Sequence, residues 1–129
     1  MRSQLDMVFV RTLVIVNGRT LAIAGDNRGN AAIRLIEVDT RTLEMAKQGD
    51  DNIHPNSLIW VNGRDIYAIT NTGGTLNIGR FNTDLVLQAK SEIAVHSNAT
   101  VSIQQGGLLT QKADGGAVLL KPADLTERN

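Results

Sequence analysis

The chain has 129 residues, the size of a single domain. Its 13 Lys and Arg balance its 13 Asp and Glu, which argues against a general grip on nucleic acid or an anionic membrane, since both need a basic excess. Cysteine is absent, so disulfides, thiolate metal sites and cysteine nucleophiles are excluded, and an apolar share of 42% with 20% charge fits a globular domain.

Residues 1–6 do not read as a signal peptide, and no stretch approaches the roughly 20 apolar residues of a membrane span. The sequence alone therefore predicts a soluble chain without membrane insertion. A short strand is expected at residues 7–10. A hairpin follows, with Val16-Asn17-Gly18-Arg19 at its turn and residues 20–24 as its second strand. A polar loop at 25–30 leads to an alternating strand at 33–38, a turn at Asp39-Thr40 and a short strand at 43–46.

The same order then returns. Val61-Asn62-Gly63-Arg64 repeats the turn 45 residues on (from 16 to 61), and residues 65–69, 70–74, 76–81 and 85–89 answer the segments that followed it. A fainter third copy runs from Val101 to Leu125, about 42 residues further (61 to 103). A repeat of four short strands at roughly 40–45 residues is the signature of propeller blades and related radial β folds. Asn-Gly between alternating apolar runs is a strong hairpin signal, because a type I′ turn needs positive φ at both central residues. Both Asn-Gly pairs are therefore expected at hairpin tips.

These patterns predict an all-β chain of three repeats, at about 13–57, 58–99 and 100–125, each of about four antiparallel strands in propeller-like blades. A closed threefold fold, a β-trefoil or β-prism, is the alternative. The third repeat ends before its fourth strand, so residues 5–10 are expected to complete the last sheet beside 117–120; the other possibility is that residues 7–13 extend the first strand. A shared core is expected from Leu13, Ile15, Leu21, Ile23, Ile36, Ile59, Val61, Ile66, Ala68, Ile78, Phe81 and Val118.

Two stretches resemble a known family. Ala24-Gly25-Asp26-Asn27-Arg28-Gly29-Asn30 followed by Ile33-Arg34-Leu35, and Phe81-Asn82-Thr83-Asp84-Leu85 ahead of residues 88–93, are similar to the C-terminal region of the eighty-three-to-one-hundred-kilodalton antigen family of spirochaetes. The resemblance covers most of the chain after Leu13. It implies a β-rich C-terminal domain of a cell-envelope protein, periplasmic or envelope-located, with no catalytic residues to carry over.

Candidate chemistry is sparse. The loop holding Asp26 and Asn27 offers oxygen donors that suit Ca²⁺, but Arg28 falls where a further donor belongs, and a solvated connecting loop is the preferred reading. No glycine-rich loop leads into a helix, so phosphate-cradling and dinucleotide motifs are unsupported. His54 and His96 stand 42 residues apart (54 to 96), each two residues before an Asn. That spacing reads as a repeated turn between blades, with ligand contact second. Trp60 and Tyr67 could stack on a sugar or base, although both fall inside apolar alternation.

The expectation is thus a non-enzymatic domain for protein interaction or assembly, needing no metal or cofactor, partnered by a second copy or by other domains of a parent protein and not by nucleic acid. A small-ligand or carbohydrate-binding module is the alternative. Asp26, Asn27, His54, Trp60, Tyr67 and His96 are the candidate contact residues.

Overall fold

The computed structural model describes residues 7–8, 13–16, 18–25, 33–42, 44–55 and 57–127. The described chain is all-β, with twelve strands in three antiparallel sheets. The first sheet holds β1 (Met7–Val8), β2 (Val14–Val16), β3 (Arg19–Gly25), β4 (Arg34–Asp39) and β5 (Glu44–Gln48). The second holds β6 (Trp60–Asn62), β7 (Asp65–Thr72), β8 (Thr75–Phe81) and β9 (Leu87–Lys90). The third holds β10 (Ser102–Gln104), β11 (Gly107–Gln111) and β12 (Ala117–Leu120). No helix among the described residues is long and apolar enough to cross a membrane.

Each sheet packs a face on the next, because alternate side chains along a strand point to opposite faces. In β7, Ile66 and Ala68 join Leu21, Ile23 and Leu35 of the first sheet in one core. Their neighbours Tyr67 and Ile69 join Leu108, Val118 and Leu120 of the third sheet in another. Among the described residues no cluster joins the first sheet to the third. The single expected core is therefore two inter-sheet cores. This open stack departs from a closed threefold fold, in which all three repeats would share one centre.

The connecting segments stitch the stack together. His54 N donates to Ile69 O and Asn71 N to Asn52 O, at 2.8 and 2.9 Å. One repeat on, His96 N donates to Gln111 O and Ala113 N to Ala94 O, at 3.2 and 3.0 Å. Residues 52–54 and 94–96 thus run along an edge of the sheet that follows, with Ile53 bridged to Thr70 and Val95 to Lys112.

The same arrangement corrects the expected closure between the termini. Met7 and Val8 pair with Gly25 and Ala24 of β3, on the edge that also carries β2, and not with Ala117–Leu120. Phe9 and Val10 lie outside the described residues. The last sheet closes itself: Lys121 N donates to Thr126 O, and Leu120 bridges to Glu127, at the place expected to stand empty. This is the local solution, since a tail that turns back on its own strand forms no long loop.

The two Asn-Gly turns also differ from each other. In the first hairpin Val16 faces Arg19, with Gly18 (φ +79°) between them at the tip. In the second Asn62 faces Asp65, so the tip is Gly63-Arg64, one residue later in the motif. Gly63 has φ +64°, while Arg64 is not left-handed. A glycine at the first central position alone suits a type II′ turn, not the expected I′. The slip matters because one residue of register exchanges the two faces of a strand. Structurally Leu21 therefore matches Tyr67, and both face the following sheet. Gly63→Val is expected to cost about 1–3 kcal/mol, from a β-branched residue at positive φ. Arg64→Ala should stay within about 0.5 kcal/mol. Urea titrations of both variants measure this, and equal losses would contradict the turn.

Leu13 and Ile15, expected in the core, are exposed at 64% and 75%. Ile15 opens a row across the first sheet through paired positions: Ile15, Thr20, Val38 and Met45. The matching row of the second sheet is Val61, Ile66, Phe81 and Leu87. That of the third is Ile103, Leu108, Leu120 and Glu127. In the second and third sheets the two middle residues of the row are buried against the sheet before. In the first sheet the row has no preceding sheet among the described residues.

Candidate functional site

Polar chemistry concentrates at the two joints between sheets. At the first joint, Arg19 Nη1 donates to Thr83 O at 2.8 Å, and Lys47 Nζ reaches Asp84 Oδ1 at 2.9 Å. At the second, Tyr67 Oη donates to Pro122 O at 3.1 Å and Arg80 Nε to Ala123 O at 2.9 Å. In both cases side chains of one sheet hold the turn that follows the third long strand of the next. Those turns plant Leu85 and Leu125 in the two cores, with φ of +65° and +60°. Such φ values are unusual for leucine, and the surrounding bonds keep them in place.

The histidines serve the same joints. His54 and His96 each accept a backbone bond through the carbonyl, from Ser57 N at 3.0 Å and Ala99 N at 2.9 Å. His96 Nδ1 also accepts from Asn98 N at 3.0 Å. Partial burial pushes the His54 imidazole below its ordinary value. The pair stands one joint apart: His54 runs beside Ile69 of the second sheet and His96 beside Gln111 of the third.

Trp60 and Tyr67 are brought together as directly paired residues of β6 and β7. Tyr67 is fully buried, and Trp60 packs half-buried against the same core, facing the third sheet. Burial, with Asp65 beside it, pushes the Tyr67 phenol above its ordinary value of 10.0, against the opposing pull of Arg80. A raised phenol holds its proton in the folded state after the unfolded chain has lost it. Its contribution is therefore complete below pH 10.0 and fades as pH rises through the higher folded value. Above pH 10.0 the wild type is expected to lose stability more steeply than Tyr67→Phe, read as urea midpoints at stepped pH; parallel losses would contradict the burial of this hydroxyl.

A crevice between the first two sheets is lined by Arg34, Asp50, Asp51, Asn71 and Lys90, among others. Its cations are engaged. Arg34 donates to Gly49 O at 3.1 Å and to Asn52 Oδ1 at 3.2 Å, and Lys90 Nζ meets Thr72 Oγ1 at 3.4 Å. Asn77 does the equivalent work one repeat on, donating to Ser91 O and Ile93 O at 2.9 and 3.0 Å. Among the described residues no group of three or more carboxylates and imidazoles could hold a metal ion. Asp26 and Asn27 lie outside them. The engaged residues that sequence reading missed are Arg19, Lys47 and Arg80. Scattered arginines look like solvated surface, and nothing local tells a joint from a face.

The chain matches the family described as Borrelia P83/100 protein over residues 1–100. It belongs to that family. The matched range spans the first two sheets of this P83/100 chain and stops before β10, so the third sheet lies beyond it. No curated protein matches the chain.

Proposed function

We propose that this P83/100 chain is a non-enzymatic assembly domain of a cell-envelope protein, a rigid stack of sheets that binds protein through an end face. One observation carries the reading. The row Ile15, Thr20, Val38 and Met45 leaves Ile15 75% and Met45 42% exposed, where their counterparts in the second sheet, Val61 and Leu87, are partly buried against the first core. Exposed apolar groups on a face that is elsewhere covered mark an interaction surface. The polar groups at the joints support the assembly reading, because they hold the stack together.

The test is a photo-crosslinking residue at position 15 of the intact protein in its own cell envelope, with the same residue at exposed Gln104 as control. Protein adducts specific to position 15 are expected. Adducts no stronger than the control would overturn the reading. The small-ligand alternative rests on the crevice beside Arg34 and Lys90. It expects Arg34→Ala to abolish binding of an anionic sugar with the fold intact.

A further inference from the structure

We propose that Asn62 is a site of spontaneous covalent modification, where the exposed tip of the second hairpin exchanges an amide for a carboxylate. The Gly63 amide nitrogen attacks Cγ of Asn62. The bond from Cγ to Nδ2 breaks, and Nδ2 gains the proton that the Gly63 nitrogen gives up and leaves as ammonia. A five-membered imide ring remains. Water opens it at either carbonyl, which gives aspartate or, with the backbone rerouted through the side chain, isoaspartate. Water is the one co-reactant.

The geometry of the tip favours this closure. Asn62, Gly63 and Arg64 are all exposed. Asn62 faces Asp65 as the closing pair, so it takes the first position of the turn and Gly63 the second. A hydrogen-bonded turn ties the first carbonyl to the fourth amide and leaves the second amide free. Accordingly, among the described residues no hydrogen bond holds the Gly63 amide or the Asn62 side chain. Glycine carries no Cβ to obstruct the attacking nitrogen, and a Cβ built at Gly63 would meet no atom within 4 Å, so there is room for the ring.

Every other asparagine among the described residues is restrained. Asn52 Oδ1 accepts from Arg34 Nε at 3.2 Å, Asn71 Oδ1 from Gly74 N at 3.0 Å, and Asn82 Oδ1 from Asp84 N at 2.9 Å. Asn77 is buried and donates to Ser91 O and Ile93 O. Asn98 is exposed, but the amide that follows it is engaged, since Ala99 N donates to His96 O at 2.9 Å. Asp114-Gly115 could close the same ring, yet both partners are tied: Gly115 N donates to Lys112 O and Asp114 Oδ1 accepts from Gly116 N, each at 2.8 Å.

The exchange alters the hairpin that carries it. Asp and Glu rise from 13 to 14 against 13 Lys and Arg, so the formal net charge falls from 0 to −1. The new carboxylate stands across the closing pair from Asp65, and like charges directly opposite destabilise a strand pair. Asp65 also holds Arg80 Nη1 at 3.2 Å, while Arg80 Nε reaches Ala123 O, so the charge arises beside the bonds of the second joint.

The experiment is incubation of the full chain at physiological temperature and stepped alkaline pH, with peptide mass mapping over time and isoaspartate methyltransferase labelling. Acid at position 62, part of it isoaspartate, is expected to accumulate ahead of acid at Asn52, Asn71, Asn77, Asn82 and Asn98. The gain should quicken as pH rises, because the attacking nitrogen must lose its proton. Gly63→Ala should slow it at least about tenfold, since a Cβ on the attacking residue hinders the approach to Cγ. Asn62→Gln should show no comparable gain, because its ring would need a sixth member; it keeps glycine at the tip, so it serves even where Gly63→Ala loosens the turn. An amide at position 62 that persists in the folded chain but is lost in urea would show that the turn protects it, and would overturn the proposal. Equal gains at Asn62, Asn71 and Asn82 would overturn selection by the tip. The aged fraction, separated by its added charge, should unfold at lower urea than fresh protein, and an unchanged midpoint would overturn the effect on the closing pair.

Discussion

Phe81→Ala is expected to lower the unfolding free energy by about 3–5 kcal/mol, as large-to-small changes at buried aromatics do. Phe81 is 1% exposed and stands among residues of both the first and second sheets. Its truncation would leave a cavity against Leu21, Ile23 and Leu35, which the first sheet holds in place, so little collapse can refill it. Native stabilities run to about 5–15 kcal/mol, so the loss would be a third or more of a typical total. Val38 occupies the matching position of the first sheet, where no preceding sheet is found among the described residues and Val38 packs, half-buried, against Ala22, Ala24 and Ile36. Val38→Ala removes two methyl groups from a half-buried site and should cost under about 1.5 kcal/mol. Urea unfolding followed by Trp60 emission measures both. Similar losses would mean that the first two sheets do not pack on the Phe81 face.

Much of the fold could be read in the sequence because its signals are local. Alternation at residues 33–38 and 76–81, and the recurrent turn ahead of residues 19 and 64, identify strands and their order without knowledge of the partner sheet. The match to the P83/100 family over residues 1–100 agrees with the resemblance carried by residues 24–35 and 81–93. What could not be read depends on register and on neighbours. Val61-Asn62-Gly63-Arg64 copies the first turn letter for letter, yet its tip sits one residue later. A motif shows where a hairpin turns but not which pair of residues closes it, and the closing pair decides which face each side chain takes. Leu13 and Ile15 read as core because they alternate with Val14 and Val16. Alternation marks two faces, but it does not say that Leu13 and Ile15 are exposed while Ala22, Ala24 and Ile36, on the face that bears Ile15, are buried. The spare segment at residues 7–10 posed the same difficulty. The pairing of Met7 and Val8 with β3 has precedent in residues 52–54 and 94–96, but those look like loops until their bonds to the next sheet are seen. At the joints the repeated histidines were legible as a shared turn. The bonds from Arg19 and Arg80 were not, since an arginine that grips a distant carbonyl has no local pattern.

The same dependence on neighbours makes Gly107→Ala a severe single-methyl change. The pair Gly106-Gly107 reads as a turn, but only Gly106 lies at the tip, beside Gln105, while Gly107 opens β11 opposite Gln104. Its φ is +151°, which L residues rarely adopt. A Cβ there would stand 2.5 Å from Leu120 O and 3.3 Å from the Leu119 side chain. The oxygen belongs to the backbone of the paired strand β12, so it cannot swing aside as a flexible side chain would. Relief requires β11 and β12 to part where Leu108 and Leu120 enter the second core. Backbone strain of about 1–3 kcal/mol and overpacking of about 1–3 kcal/mol act together, which predicts a loss of about 3 kcal/mol or more. Gly63→Ala supplies the comparison, since Gly63 also has positive φ but no atom within 4 Å of a built Cβ. It should show the backbone cost alone. Hydrogen exchange sharpens the test: in Gly107→Ala the amides of β11 and β12 should lose protection first, with those of the first sheet unchanged. Equal destabilisation by the two alanines would mean that the close approach to Leu120 O is absent, and that the third sheet is not anchored at this corner.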